Sequence, residues 1–484
     1  SDQRYTWTNL NGGSNQLANL FTSRGIRRGD RVSILSMNSI QFIELFFAAA
    51  KIGFAVVPIN FHLAPSEVSY IVNDSKSCAL LFDSSKHELV DGLRTGGGLP
   101  IPTERLIAMG EGSGLAELIS RELSSEPSSS RDLDDVFFVG YTSGTTGFPK
   151  GCIQRHRAFV EHYRMSQQVF NQVRGEVMLI PGPLFHEAPT LFTMAQLHGG
   201  GTVVLLPTFD ADTAVEVIGQ ERCTQIGFAV PTMLDRLATT TSPDQSESVR
   251  QIICGGAALQ DHTIEAVHAK FPNAILQEFY GATEVGLITY REHEHPFTAS
   301  VHRSVGKPVP GVSVYVVDKA GKIANEYEIG LVYISPFLMD GYRNLPEATA
   351  EATLTVDDIE WFTLGDLGYT DNDGELHLVD RSSHLIISGG ENVYPAEIEA
   401  VLARHPKVGE VAVIGTPDRE WGETVTAVIT APGVKPTYEE IRDYCLIELA
   451  RFKVPKQMYV VDELPRTPSG KLQKHLLKQR LADD

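Results

Sequence analysis

Residues Tyr141–Gly151 read YTSGTTGFPKG. Gly144, Gly147 and Gly151 allow close backbone approach to an oxyanion, while Thr142, Ser143, Thr145 and Thr146 add hydroxyl donors and Lys150 a cation. Together they suit a polyphosphate. In the common nucleotide loop that leads into a helix, glycine directly precedes the lysine and Ser or Thr follows it. Here Pro149 precedes Lys150 and Gly151 follows it, so that reading fails. A merely flexible loop needs no such combination of donors, and the segment is expected to hold the phosphates of ATP.

Other short segments follow it in a set order: Pro183–His186 (PLFH), Gly255–Leu259 (GGAAL), Tyr280–Glu284 (YGATE), Leu364–Gly368 (LGDLG), Asp380 with Arg381, Ser388–Tyr394 (SGGENVY) and Pro468–Leu472 (PSGKL). With the first loop they span nearly the whole chain, and in order and spacing the set resembles the AMP-forming adenylating enzymes. That superfamily includes acyl-CoA synthetases, peptide-synthetase adenylation domains and beetle luciferases. In related sequences a short segment precedes the first residue seen here, so a trimmed start is expected.

The resemblance implies a set of roles. The loop, with Lys150, would hold the β and γ phosphates, and Thr142 with Glu284 would help hold Mg²⁺, since a carboxylate beside phosphates needs a cation between them. Gly255, Gly256, Ala257, Glu278, Phe279, Tyr280, Gly281 and Thr283 would surround the nucleotide, with Tyr280 offering a face to adenine. Asp366 would accept the ribose hydroxyls and Arg381 would meet ribose or phosphate. Lys471 is the expected catalytic cation, bridging acid and α-phosphate, with Glu284 and Thr142 beside it. Phe185, His186, Phe228, Ala258, Ala282 and Leu287 would form the acyl pocket, where a lone histidine reads as a gate, because a carboxylate already ionised needs no base. Ser388, Gly389 and Gly390 would pass a pantetheine arm, and Trp421 either stacks on the CoA adenine or anchors the core of its domain. Ser383 would be the hinge. Members usually carry a charge at that position, and this chain has Ser383 followed by His384.

The expected activity is therefore an ATP-dependent acid:CoA ligase using ATP, Mg²⁺ and CoA. One alternative loads a carrier protein or releases acyl-AMP, and another is a silent binding protein on the same scaffold, which would need none of Lys471, Glu284 or Asp366. No amine-binding aspartate or paired cation occurs in the pocket segments, so an uncharged, hydrophobic acid is expected.

Bulk properties agree. With 484 residues, 42% hydrophobic, the chain can bury a large core in more than one domain. A formal net charge of −20 repels phosphate backbones, which argues against nucleic acid. Five scattered cysteines with no CxxC pair point to a reducing cytoplasm rather than to a disulfide framework or zinc site. The most apolar stretch, residues 42–59, is interrupted by Glu44, Lys51 and Gly53, and no integral membrane segment is expected. Self-association into a homodimer stays open.

Short β-branched runs alternate with helical patterns: Arg31–Leu35, Ser39–Ile52 and Ala55–Ile59, then Thr202–Leu206 and Ala211–Ile218. That rhythm predicts parallel sheets flanked by helices, the α/β class. Strands are also expected at Gln225–Phe228, Gln251–Cys254 and Ala274–Phe279, and a surface connection over Glu111–Asp135. After Asp380 the texture changes, with helices at Pro395–Ala403 and Tyr438–Leu449 and strands at Val411–Ile414 and Thr424–Ile429. The expected domains are a large N-terminal ATP- and acid-binding domain, 1–380, and a small mobile α+β C-terminal domain, 381–484, carrying the catalytic lysine.

Overall fold

The computed structural model describes the chain apart from residues 1–2, 111, 129–130, 143–148, 242–244, 295–303, 389–390, 419–420, 467–471 and 483–484. It divides into two compact units. One comprises Ser1–Val301, Val305–Ser313 and Ile334–Phe362, and the other His302–Ser304, Val314–Tyr333 and Thr363–Asp484.

The βαβ rhythm of the sequence becomes the framework of the first unit. Ser39 accepts the Phe42 N–H at 3.3 Å and so starts the helix Ile40–Ile52, between the strands Arg31–Leu35 and Ala55–Ile59. Those two strands pair in parallel, and Ala55–Ile59 is buried throughout, as a central strand covered on both faces must be. Among the described residues the first sheet has seven strands in the order Met339–Tyr342, Lys150–Arg155, Val136–Thr142, Ala55–Ile59, Arg31–Leu35, Ala79–Asp83, Leu106–Met109. A second seven-stranded sheet runs Lys307–Pro308, Gly286–His293, Ile275–Ala282, Gln251–Cys254, Gln225–Ala229, Val177–Ile180, Thr202–Leu205. Their cores are apolar: Val57, Ile59, Leu80 and Phe82 under the first sheet, Leu179, Ile226, Ile252 and Leu276 under the second.

In the second unit the strands Val411–Asp418 and Gly422–Thr430 form an antiparallel pair, and Gln457–Val461 joins the latter in parallel. The helix Tyr438–Glu448 starts in a capping box between Thr437 and Glu440. It packs with the helix Pro395–Leu402 over Ile398, Val413, Ala427 and Ile441. The expected α/β class with a small α+β part is what the chain adopts.

Three features differ from the sequence reading. The connection over 111–135 contains a helix, Leu115–Ser120, and Asn15 and Asn19 bind the carbonyls of Ser124 and Leu123 after it. Antiparallel strands between 313 and 381, such as Asp366–Thr370 paired with Leu376–Arg381, were not anticipated. The second unit begins before residue 381, so the 1–380 and 381–484 division stands as a proposal about where the chain pivots. Among the described residues no helix is long and apolar enough to cross a membrane.

One buried acid makes the fold sensitive to pH. Glu44, 5% exposed, lies in the helix Ile40–Ile52 with its carboxyl against Gly13 of the helix Trp7–Ser23. Burial pushes its pKa up from 4.5 to about 7. The folded state therefore favours the protonated acid, and that stability is fully present below pH 4.5 and lost as pH rises through 7. Glu44→Gln removes the titration. Its stability relative to the parent is expected to gain about 2–3 kcal/mol between pH 5 and pH 8, read from urea melts at both values. A pH-independent difference would contradict the assignment.

Candidate active site

The strands Val136–Thr142 and Lys150–Arg155 pair antiparallel, Tyr141 opposite Gly151 and Thr142 opposite Lys150. The hydroxyl-rich segment thus connects a β-hairpin and does not lead into a helix. Ser143, Gly144, Thr145, Thr146 and Gly147 lie outside the described residues.

Glu284, 8% exposed, occupies the turn between Ile275–Ala282 and Gly286–His293. Its Oε1 stands 3.4 Å from Thr142 Oγ1 and accepts the Tyr342 hydroxyl at 3.0 Å. Lys150 Nζ lies 4.9 Å from the centre of the Tyr342 ring. Glu284 is thereby brought beside the distant hairpin residues Thr142 and Lys150, with Glu284 and Lys150 both meeting the Tyr342 side chain. The sequence reading missed Tyr342, because the strand that delivers it, Met339–Tyr342, pairs with Lys150–Arg155 only in the folded chain. The hard oxygens of Thr142 and Glu284 fit Mg²⁺, which binds through one or two protein oxygens together with substrate phosphates.

The expected nucleotide segment divides in two. Gly256, Ala257 and Ala258 are exposed, and Tyr280, Gly281, Ala282 and Thr283 are partly exposed at the end of their strand. Glu278 and Phe279 instead face inward. Glu278 Oε2 pairs with His293 Nε2 at 2.9 Å, and its Oε1 accepts the Leu259 N–H at 3.3 Å. The Phe279 ring packs on Phe170, Phe192 and Phe228, and a Cβ on Gly255 would fall 2.8 Å from it. These two residues brace the Gly255–Leu259 turn from beneath.

Around the PLFH segment, Phe185 packs edge-on against Phe61, and Phe228 stacks near Phe192 with a left-handed backbone, φ +49°. His186 Nε2 is buried with no partner among the described residues, and burial lowers its pKa to about 4. It is neutral at physiological pH. Leu287 is buried, and its N–H donates to His162 Nε2 at 3.3 Å. His162 approaches so closely that a Cβ on Gly286, itself at φ +77°, would fall 1.9 Å from that nitrogen. Glu187, which the sequence reading passed over although it adjoins His186, is buried beside Gln154 and Thr283. Burial, then the Glu284 charge, pushes its carboxyl well above the usual range.

In the second unit, Asp366 and Arg381 are register partners on adjacent strands, and Arg381 Nε reaches Asp366 Oδ1 at 3.0 Å. Asp380 accepts the Arg381 and Ala396 N–H groups and pairs with His384 Nδ1 at 3.2 Å. Burial raises its pKa, but the bonds from His384, Ala396 and Arg381 and the Lys474 charge outweigh that and hold it below the ordinary value. Ser383 lies in the 3₁₀ turn Ser382–His384 that follows. Ser388 is buried at the end of Ile386–Ser388, and Gly389 and Gly390 lie outside the described residues. Trp421 is 41% exposed, with Lys456 Nζ 3.6 Å from its ring centre, which does not suit a core anchor. Lys471 lies outside the described residues; on either side of its segment, Arg466 and Leu472 form a β-bridge.

Residues 1–343 match the AMP-binding enzyme family, and residues 397–471 match the AMP-binding enzyme C-terminal domain. The chain belongs to this family of adenylating enzymes. It is 35% identical to a long-chain-fatty-acid–CoA ligase, FadD13, of Mycobacterium tuberculosis, over 99% of this chain and 94% of that protein. It is 33% identical to a fatty acid–[acyl-carrier-protein] ligase, ScoC, of Streptomyces coeruleorubidus, over 99% of this chain and 92% of that one. The structure superposes with a TM-score of 0.85 on o-succinylbenzoate CoA synthetase of Bacillus subtilis in complex with its acyl-adenylate intermediate. That protein is 31% identical, with 100% of this chain and 94% of the other covered. The expectation of an AMP-forming acid–thiol ligase is borne out at this level.

Proposed function

We propose that this chain activates a hydrophobic carboxylic acid as its acyl adenylate and transfers the acyl group to CoA. The observation that carries this reading is the meeting of Glu284 and Lys150 at Tyr342 with Thr142 beside Glu284, where charge and hydroxyl donors come together at the base of the phosphate loop. In the first half-reaction an oxygen of the acid attacks the α-phosphorus of ATP and the bond to pyrophosphate breaks, a step governed by positioning and charge. Lys150 and the loop donors would hold the leaving phosphates, and Lys471 would steady the charge passing between acid and α-phosphate. Mg²⁺ held by Glu284 and Thr142 would supply further charge neutralisation. Asp366 and Arg381 would fix the ribose, with Tyr280 and the exposed Gly256–Ala258 turn beside the base. In the second half-reaction the CoA sulfur attacks the acyl carbonyl and AMP leaves, after a turn of the small domain about Ser383.

The acid should be aromatic, alicyclic or medium-chain. Phe185 and Phe228 offer apolar walls and His186 is neutral, so a second ionised group on the substrate would be buried unpaired at a cost of several kcal/mol. The resemblance to ScoC favours a second reading, delivery to a carrier protein. One assay separates the readings: acid-dependent AMP release with and without CoA, across a panel of acids. Multiple turnovers only with CoA, and highest kcat/KM for hydrophobic acids, are expected. Equal turnover without CoA, or a preference for acetate, malonate or a free amino acid, would overturn the proposal. The five free cysteines suit a reducing, cytoplasmic setting, and light scattering would settle whether the chain forms a homodimer.

Trp421 is proposed to meet the CoA adenine. Trp421→Ala is expected to raise the KM for CoA about fivefold, the equivalent of about 1 kcal/mol of lost stacking, with acid-dependent pyrophosphate exchange intact. An unchanged KM in a normally folded variant would remove Trp421 from the CoA site.

A further inference from the structure

Both ends of the phosphate loop are tied to an acid that belongs to none of the motifs above. Asp74 lies near the C-terminal end of the helix Pro65–Ser75. Its Oδ2 accepts the hydroxyl of Tyr141, one residue before Thr142, at 2.6 Å. Its Oδ1 accepts the Asn344 amide at 2.9 Å, and its backbone carbonyl accepts Arg343 Nε at 2.7 Å. The Arg343 N–H donates in turn to the carbonyl of Gly151, the last residue of the motif, at 2.7 Å. From one turn earlier on the same helix, the Tyr70 hydroxyl reaches the Pro149 carbonyl at 3.4 Å. The segment that supplies Arg343 and Asn344 also supplies Tyr342, which holds Glu284 and faces Lys150.

Binding a ligand costs a chain segment conformational entropy. Fixing its two ends beforehand reduces that loss and sets where its donors can point. Tyr141 is suited to such a tie, since burial and then the bond to Asp74 push its phenol up, and it remains a donor throughout the working range.

We infer that Asp74 is a positioning residue for the adenylation step. Through Tyr141 on one side and the Arg343–Asn344 segment on the other, it holds the two ends of the phosphate loop in register. The inference rests on the adenylating activity proposed above, and its test separates the two. Tyr141→Phe, Asp74→Ala and the double variant are compared with the parent in acid-dependent ATP–pyrophosphate exchange, in thioester formation from supplied acyl-AMP and CoA, and in thermal midpoint. Each single variant should lose about 10- to 100-fold in kcat/KM for ATP in the exchange, as expected for a charge-assisted hydrogen bond that positions a reacting group. Thioester formation should stay within about twofold, and the double variant should lose little more than Asp74→Ala alone, because the two groups act through one bond. Equal losses in both half-reactions with a lowered thermal midpoint would mark a general structural role and overturn the inference. So would exchange at the parent rate in Tyr141→Phe, which removes one oxygen, keeps the ring and stays informative if Asp74→Ala does not fold. A parent protein unable to exchange pyrophosphate at all would overturn the adenylating activity itself.

Discussion

Lys471→Ala is expected to slow acyl-adenylate formation by about 10² or more, the value of one donor aimed at developing charge. Thioester formation from supplied acyl-AMP and CoA should survive. The residue is the cation of the PSGKL segment, and the bridge between Arg466 and Leu472 joins the chain on either side of it. Lysine suits the task because its ammonium is a compact charge on a flexible stem, able to meet an oxygen of the acid and the α-phosphate together. Once the adenylate exists, that task is finished, so the two half-reactions should respond differently. The measurement is single-turnover formation of acyl-AMP set against single-turnover transfer to CoA. Equal losses would remove Lys471 from the first half-reaction.

Glu284→Gln should cost acyl-adenylate formation on the order of 10²-fold and shift the activity to higher Mg²⁺ concentration. Glutamine keeps the shape of the side chain and still accepts the Tyr342 hydroxyl, so the buried turn should survive the change. What it lacks is the charge that matches a divalent cation between protein and phosphates. Titrating Mg²⁺ in the exchange assay reads this directly. Wild-type rates with an unmoved Mg²⁺ curve would return Glu284 to a purely structural role. Supplied acyl-AMP bypasses the pyrophosphate, and its conversion should be little affected.

Much of the architecture was legible because its signals are local. The strand Arg31–Leu35 and the helix beyond it were visible as a β-branched run and a helical pattern, and both occur within a residue of where they were expected. The candidate site was legible only where a motif carries its own chemistry. Thr142, Lys150 and Glu284 converge, yet Tyr342, which meets Glu284 and Lys150, and Asp74, which meets Tyr141, are ordinary residues whose meaning comes from long-range pairing. Glu278 and Phe279 show the converse. Their place beside YGATE suggests ligand contact, while alternation along the strand sends their side chains to His293 and to the aromatic core, packing that the motif alone does not reveal. Among the antiparallel strands between 313 and 381, Ser313–Val317 and Thr353–Val356 are largely exposed and show little burial alternation to mark them.

The left-handed backbone at Phe228 sets a rule for how the proposed acyl wall can change. Apart from Asn and Asp, a residue bearing a β-carbon costs about 1–2 kcal/mol at such a φ, and glycine escapes the cost. Exchanging Phe228 for another bulky side chain would therefore alter the contour of the wall at nearly constant backbone cost, whereas glycine would relieve the backbone and forfeit the ring contacts with Phe192 and Phe279. Acid preference can drift at this position among large residues while the scaffold remains indifferent, so relatives that share this backbone need not share a substrate.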